Sequence, residues 1–185
     1  MLSATHEIIW CFSFPIVGAF IGYSSHFVEC IFRSDSLTLN RFTGCAGQHI
    51  YRGDRFSQDF YGDYIIPEPV GRLVRRAKVV YDDGKFVVHN ATSGTEFLRS
   101  RDANFRPVHA STGPDGCLYI LDMYRGIIQE GNWVRPGSYL RGVVENYGLD
   151  KNVGRGRIYR LVHETTERGP KPNLIHAPSE ELAGY

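Results

Sequence analysis

The turn pair Asp115-Gly116, followed without interruption by the apolar run Cys117-Leu118-Tyr119-Ile120-Leu121, restricts the folds open to this chain more than any other feature. An Asp-Gly pair suits a tight hairpin turn, because both residues reach positive φ at little cost. A run that is apolar on both faces fits a strand covered from both sides rather than one half-exposed to water. Together they predict an antiparallel hairpin within stacked sheets, leading into the charged, aromatic loop Asp122-Met123-Tyr124-Arg125.

The same pattern recurs along the chain. Beyond about Ser36 it reads as short strands separated by Gly, Asp and Pro. Strands are expected over 49–52, 62–67 and 71–81; the turn Asp82-Asp83-Gly84 then returns the chain along 85–89. Gly71-Arg72-Leu73-Val74-Arg75 is echoed by Gly156-Arg157-Ile158-Tyr159-Arg160, each with an apolar strand upstream. The spacing of the two units is about two blades at the roughly 40–45 residues of a propeller blade. The second copy carries a long insertion, residues 123–153, and insertions in repeat folds collect on one face, commonly the binding face.

Composition narrows the classes. Hydrophobic content of 42% and charged content of 22% are those of a globular protein, not a disordered one. A net charge of +1 supplies no field for a nucleic-acid partner, and none is expected. Cys11, Cys30, Cys45 and Cys117 form no CxxC or CxxCH, so neither a zinc ribbon nor an attached haem is encoded. Either free buried thiols or a Cys45–Cys117 disulfide fits that spacing. Residues 8–28 contain no Lys, Arg, Asp or Glu, and His26 is their one histidine, which suits a membrane-associated or export segment, a buried structural segment, or a start unrelated to the rest. The expected organisation is a hydrophobic leader over 1–38, propeller blades over 39–163, and a Pro-rich tail or linker over 164–185. Arg72, Arg75, Arg76 and Lys78 read as charges on a solvated edge strand, with Arg72, Arg76 and Lys78 facing opposite to Arg75, and contact with an anionic polymer is the alternative. His49, His89, His109 and His163 are isolated, and no metal site is expected.

From about Phe42 to His163 the chain resembles the six-bladed propeller of glucose/sorbosone dehydrogenases, the pyrroloquinoline-quinone (PQQ) type, in its membrane-bound dehydrogenase-like branch. The resemblance rests on Cys45-Ala46-Gly47-Gln48-His49-Ile50-Tyr51-Arg52-Gly53-Asp54, Glu68-Pro69-Val70-Gly71-Arg72-Leu73-Val74-Arg75-Arg76 and Phe97-Leu98-Arg99-Ser100. The passage from Phe105-Arg106-Pro107-Val108 to Asp122-Met123-Tyr124-Arg125 and the closing 154–160 complete it. It implies an all-β fold, a partial β-propeller of about three blades by the same repeat length, with a hydrophobic N-terminal helix as an option for the leader. It also implies the C-terminal part of such a propeller, in a periplasmic or membrane-associated setting.

For activity, the resemblance implies oxidation of a sugar or sugar aldehyde, with hydride passing to PQQ beside calcium and electrons leaving to a cytochrome. The family's Arg-x-Arg pair reads Asn104-Phe105-Arg106 here, so Arg106 alone is the expected cofactor contact; the competing reading has it pair with Asp102 or Asp122. A planar, permanently charged guanidinium is the right chemistry for a tricarboxylated quinone. Asp122 and Arg125, at the end of a buried strand, are the candidates for a substrate-facing role, with an internal ion pair the alternative. Asp115 is expected to hold its own turn by accepting backbone N–H groups. The family's lysine has no counterpart over 67–71, so a non-catalytic propeller module that binds carbohydrate or a protein partner is the rival expectation. A membrane-anchored structural fragment is a third.

Overall fold

The computed structural model describes residues 7–9, 38–39, 42–127, 135–164, 166–167 and 175–182. Runs of β-branched and aromatic residues favour extended backbone, and they pair here into two sheets. The first is an antiparallel meander of β2 (His49–Ile50), β3 (Tyr64–Glu68), β4 (Leu73–Asp82) and β5 (Lys85–Asn90), in that order. A short strand β6 (Leu98–Arg99) pairs with the start of β4. The second sheet is a meander of β7 (Pro107–Thr112), β8 (Leu118–Asp122) and β9 (Arg157–Val162). Its outer edge is closed by β1 (Glu7–Ile9), which runs parallel to β9 with Glu7 opposite Arg160.

The chain is therefore mostly β, in two largely antiparallel sheets. Repeat length led to an expectation of about three blades, and the described residues build two sheets. The reason lies between β8 and β9. The connection there includes a helix, α1 (Tyr139–Tyr147), and no strand among its described residues, so it uses about a blade's length of chain without making one. Ser138 begins α1 by accepting the Arg141 N–H at 3.2 Å, and Gly148 ends it in the left-handed conformation.

One core joins the sheets. Tyr51, Phe56, Phe60, Ile65 and Val74 from the first meet Phe105, Ala110, Leu118, Ile120, Tyr159 and Leu161 from the second. Phe56 stacks on Phe60 with ring centroids 4.9 Å apart, an aromatic geometry that adds to plain area burial. A separate small core of Ile127, Val144 and Leu149 holds α1 to the loop after β8. The sheets also meet by backbone, since the Ala110 N–H donates to the Gly47 carbonyl at 2.9 Å. That approach requires glycine: a Cβ on Gly47 would lie 2.5 Å from the Val108 carbonyl and from His109.

Turn chemistry explains one hairpin fully and corrects another. Between β4 and β5, Asp83 (φ 43°) and Gly84 (φ 77°) both occupy the left-handed region, and Asp82 pairs with Lys85. That is the two-residue turn expected of Asp-Gly. Between β7 and β8 only Gly116 (φ 76°) does so, and the Gly113 N–H reaches across to the Cys117 carbonyl at 2.8 Å. The loop is wider than the sequence suggested because the Asp115 side chain enters it, accepting the Cys117 N–H at 3.1 Å. The expected role of Asp115 in its turn is thus present, extended by the Tyr119 hydroxyl at 2.9 Å and the Arg160 guanidinium at 2.7 Å.

The edge-strand reading of Arg75, Arg76 and Lys78 is corrected, because β4 has β3 on one side and β5 and β6 on the other. Its cations are paired, as charges inside a sheet must be. Arg76 is buried, bridges Asp63 and Asp59, and lies 3.4 Å over the Phe60 ring, while Lys78 joins Asp63 at 2.7 Å. Arg75, on the opposite face as expected, pairs with Glu96. Arg72 precedes the strand, in a turn with φ 56°. Cys117 is a buried free thiol, and Cys45 is free but exposed. The described part of the tail includes one helical turn, Ser179–Leu182. Most of the leader, including the option of a hydrophobic helix over 8–28, lies outside the described residues; among those described, no helix is long and apolar enough to cross a membrane.

Candidate functional site

The end of β8 organises the neighbourhood of the long connection. Asp122 is buried, and its carboxylate accepts the Arg106 N–H at 2.7 Å, the Tyr124 N–H at 2.8 Å and the Tyr159 hydroxyl at 3.2 Å. Burial pushes its carboxyl up, against the pull of those donors. Burial, with Asp122 alongside, likewise pushes the Tyr159 phenol up to about 12. These bonds hold Tyr124 in the left-handed region at φ 49°, a conformation that a bulky side chain adopts only when its surroundings impose it.

From Tyr124 an open cleft of about 240 Å³ extends, lined by Asn104, Tyr124, Gly148, Lys151, Asn152 and Arg155. Its walls come from three places: the loop before β7, the loop after β8 and the segment that leaves α1. Tyr124 is fixed at both ends. Its hydroxyl donates to Asp102 at 2.7 Å, its carbonyl accepts from Asn152 Nδ2 at 2.8 Å, and the Arg157 guanidinium lies 3.4 Å over its ring. Asn104 donates through Nδ2 to Asp102 at 3.1 Å. Each asparagine thus uses its NH2 group and is fixed in orientation by doing so. The Oδ1 atoms of Asn104 and Asn152 are left buried and without a hydrogen-bond partner. Burial alone would raise the Asp102 carboxyl; the donors from Asn104 and Tyr124 outweigh it and hold the group below its usual range. Asp102 is therefore an ionised anchor at the wall of the cleft.

None of the three residues singled out from sequence lines this cleft. Arg106 is buried, and its guanidinium donates to the carbonyls of Pro69 at 2.8 Å, Val70 at 3.4 Å, Arg125 at 3.0 Å and Gly126 at 2.7 Å. It ties the β3–β4 turn of the first sheet to the loop after β8 in the second. Of its two expected carboxylate partners, Asp122 accepts its backbone N–H, and Asp102 anchors Asn104 and Tyr124 instead. Arg125 enters this arrangement through its backbone carbonyl. Asp122 is a cap for loop N–H groups rather than a group presented to substrate.

A second constellation sits where the leading strands β2 and β7 meet. His49 Nε2 accepts the Thr112 N–H at 3.0 Å and lies 2.7 Å from Thr112 Oγ1. An accepting Nε2 places the ring proton on Nδ1. Burial, with His109 and Arg52 nearby, holds the imidazole below its usual range and keeps it neutral. This pair staples the two sheets together.

The quinone and its calcium do not fit the described residues. The donors of Arg106 point at protein carbonyls, and those carbonyls, which could have faced a cation, already face a guanidinium. Among the described residues no group of three or more His, Cys, Asp or Glu side chains could hold a metal ion.

The cleft residues were largely missed from sequence. Asn104 drew notice only as the place of an absent arginine, and Lys151, Asn152 and Arg155 lie far from it along the chain. The usable signal was the insertion itself, 123–153, expected on a binding face; Tyr124, Gly148, Lys151 and Asn152 all belong to it. No curated protein and no solved structure matches this chain. Residues 14–165 match the family model of a domain of unknown function, DUF7133, and over that span, most of its length, the chain belongs to the DUF7133 family.

Proposed function

We propose that the chain contributes blades to a β-propeller of the glucose/sorbosone dehydrogenase type, and that it works there as a non-catalytic module that binds carbohydrate. The propeller reading is supported by two antiparallel meanders whose leading strands, β2 and β7, lie side by side, since a blade is such a meander. Sugar oxidation, the reaction of the resembling enzymes, draws less support, because the arginine that would meet the quinone is turned into the protein.

The observation that carries the binding reading is the pair of unpartnered carboxamide oxygens on Asn104 and Asn152 in one polar cleft. A buried acceptor without a donor costs about 1–3 kcal/mol, and a sugar hydroxyl is a donor of the right size to recover it. The cleft volume of about 240 Å³ is below the roughly 300–1,000 Å³ of drug-sized sites, which suits a single sugar ring. Titration calorimetry with a panel of neutral and charged monosaccharides tests this. Binding by the protein, lost in the Asn104→Ala/Asn152→Ala variant with its fold intact by circular dichroism, is the expected result. Failure of every sugar in the panel to bind removes the reading. In parallel, PQQ added with calcium is expected to show no absorbance change on mixing with the protein.

A further inference from the structure

We infer that the ligand of this cleft is a sugar acid, a ring carrying a carboxylate, and that Lys151 and Arg155 select it over the neutral sugar. The inference rests on the carbohydrate reading above and goes beyond it by assigning the charge of the ligand. Lys151 and Arg155 line the cleft, and no Asp or Glu does. Both are exposed, and neither side chain has a partner among the described residues.

That separates them from the cations of the framework. Arg75, Arg76, Lys78 and Arg160 each face a carboxylate at Glu96, Asp59, Asp63 or Asp115. Asp102, two residues before Asn104, is engaged by the wall of the cleft: it accepts Asn104 on Oδ1 and Tyr124 on Oδ2. Arg157, held over the Tyr124 ring, adds positive charge behind the wall.

The two sets of groups call for different ends of one small molecule. Unpartnered amide oxygens favour hydroxyl donors, and cations without a carboxylate partner favour an anion. Arginine presents a planar fork that matches a carboxylate, and lysine adds a point charge beside it. A hydroxylated ring with one carboxylate satisfies both sets in a cleft that holds little more than one ring. Binding is the whole of the proposed event, and no covalent step is involved.

The test compares glucuronate with glucose on the full chain, by calorimetry at low and at raised sodium chloride. Glucuronate is expected to bind at least about tenfold more tightly, as charge-assisted hydrogen bonds allow, with the advantage shrinking as salt screens the cations. The Lys151→Gln/Arg155→Gln variant is expected to bind both sugars alike, at the level that the wild type shows for glucose. Those side chains are exposed, so the variant keeps its fold; unchanged thermal unfolding checks this. Equal binding of the two sugars by the wild type overturns the inference while the carbohydrate reading stands. Competition by acetate as strong as by glucuronate also overturns it, because hydroxyl recognition is then absent. If neither sugar binds, the carbohydrate reading fails and this inference fails with it.

Discussion

The core shared by the sheets and the small core beneath α1 are built to different standards. In the first, Ile65, Leu118 and Ile120 are fully buried (0% exposed) and come from two strands, β3 and β8, each tied by ladders on both sides. In the second, Ile127, Val144 and Leu149 remain 4–9% exposed and join one helix to one loop. Only the first is cross-linked by strand pairing. The contrast shows that strand repetition supplies the framework, and that the cleft-lining groups sit where repetition is interrupted. Stability in such a molecule is uneven, with the interrupted region at the low end.

Matched truncations test this division most directly. Ile120→Ala is expected to lower global stability by about 2–5 kcal/mol in urea unfolding. Leu149→Ala removes a similar side chain from the small core, yet is expected to shift the global midpoint by less than about 1 kcal/mol while hydrogen exchange accelerates across α1. Equal global losses for the two would show that the cores unfold as one unit and end the comparison.

Arg106→Met comes next, at about 3 kcal/mol, since it strips donors from the carbonyls of Pro69, Val70, Arg125 and Gly126. A loss below about 1 kcal/mol would mean that water replaces the guanidinium freely, and the tie between the sheets would be unimportant. A smaller effect, about 1–3 kcal/mol, is expected for Asp115→Asn, which weakens the bonds to Cys117, Tyr119 and Arg160. It also carries a pH signature. Burial would raise the Asp115 carboxyl, but those donors outweigh it and hold it below the ordinary 3.8. A depressed carboxyl contributes fully above 3.8 and loses its contribution as pH falls through the lower folded value. Acid unfolding of the wild type should therefore be steeper than that of Asp115→Asn in that range; parallel curves would contradict the assignment. Phe86→Ser ranks last, because Phe86 is 76% exposed and touches mainly Tyr81 across the β4–β5 ribbon. A change within about 1 kcal/mol is expected in thermal unfolding.

Local signals made the framework legible. Asp83-Gly84 marks a two-residue turn, and the apolarity of 117–121 marks a strand, each legible within ten residues; the expected cover on both faces is only partly met, since Leu118 and Ile120 are buried while Tyr119 and Leu121 on the other face are half-buried. The Gly-Arg echo likewise falls at the starts of β4 and β9. What escaped was set by distance along the chain. Arg76 looks like a solvated edge charge until Asp59 and Asp63 are seen beside it. The cleft brings Asn104 to Asn152 across an interruption with no periodic pattern, so spacing alone could not unite them. Arg106 was correctly singled out as a planar donor, but a guanidinium serves a ring of carbonyls as well as it serves a quinone. Only the positions of Pro69, Val70, Arg125 and Gly126 decide between those uses.

The parallel pairing of β1 with β9 has a consequence for how the molecule is made. A ribosome releases Glu7–Ile9 early and Arg157–Val162 late, so β1 stays without its partner, and one edge of β8 stays open, until translation has passed Val162. The first sheet draws its meander from neighbouring stretches and is free to close while synthesis continues, as domains commonly do. The open edge of β8 and the waiting strand β1 are then the last exposed backbone to be covered, and a holdase chaperone meeting the growing polypeptide would find them there.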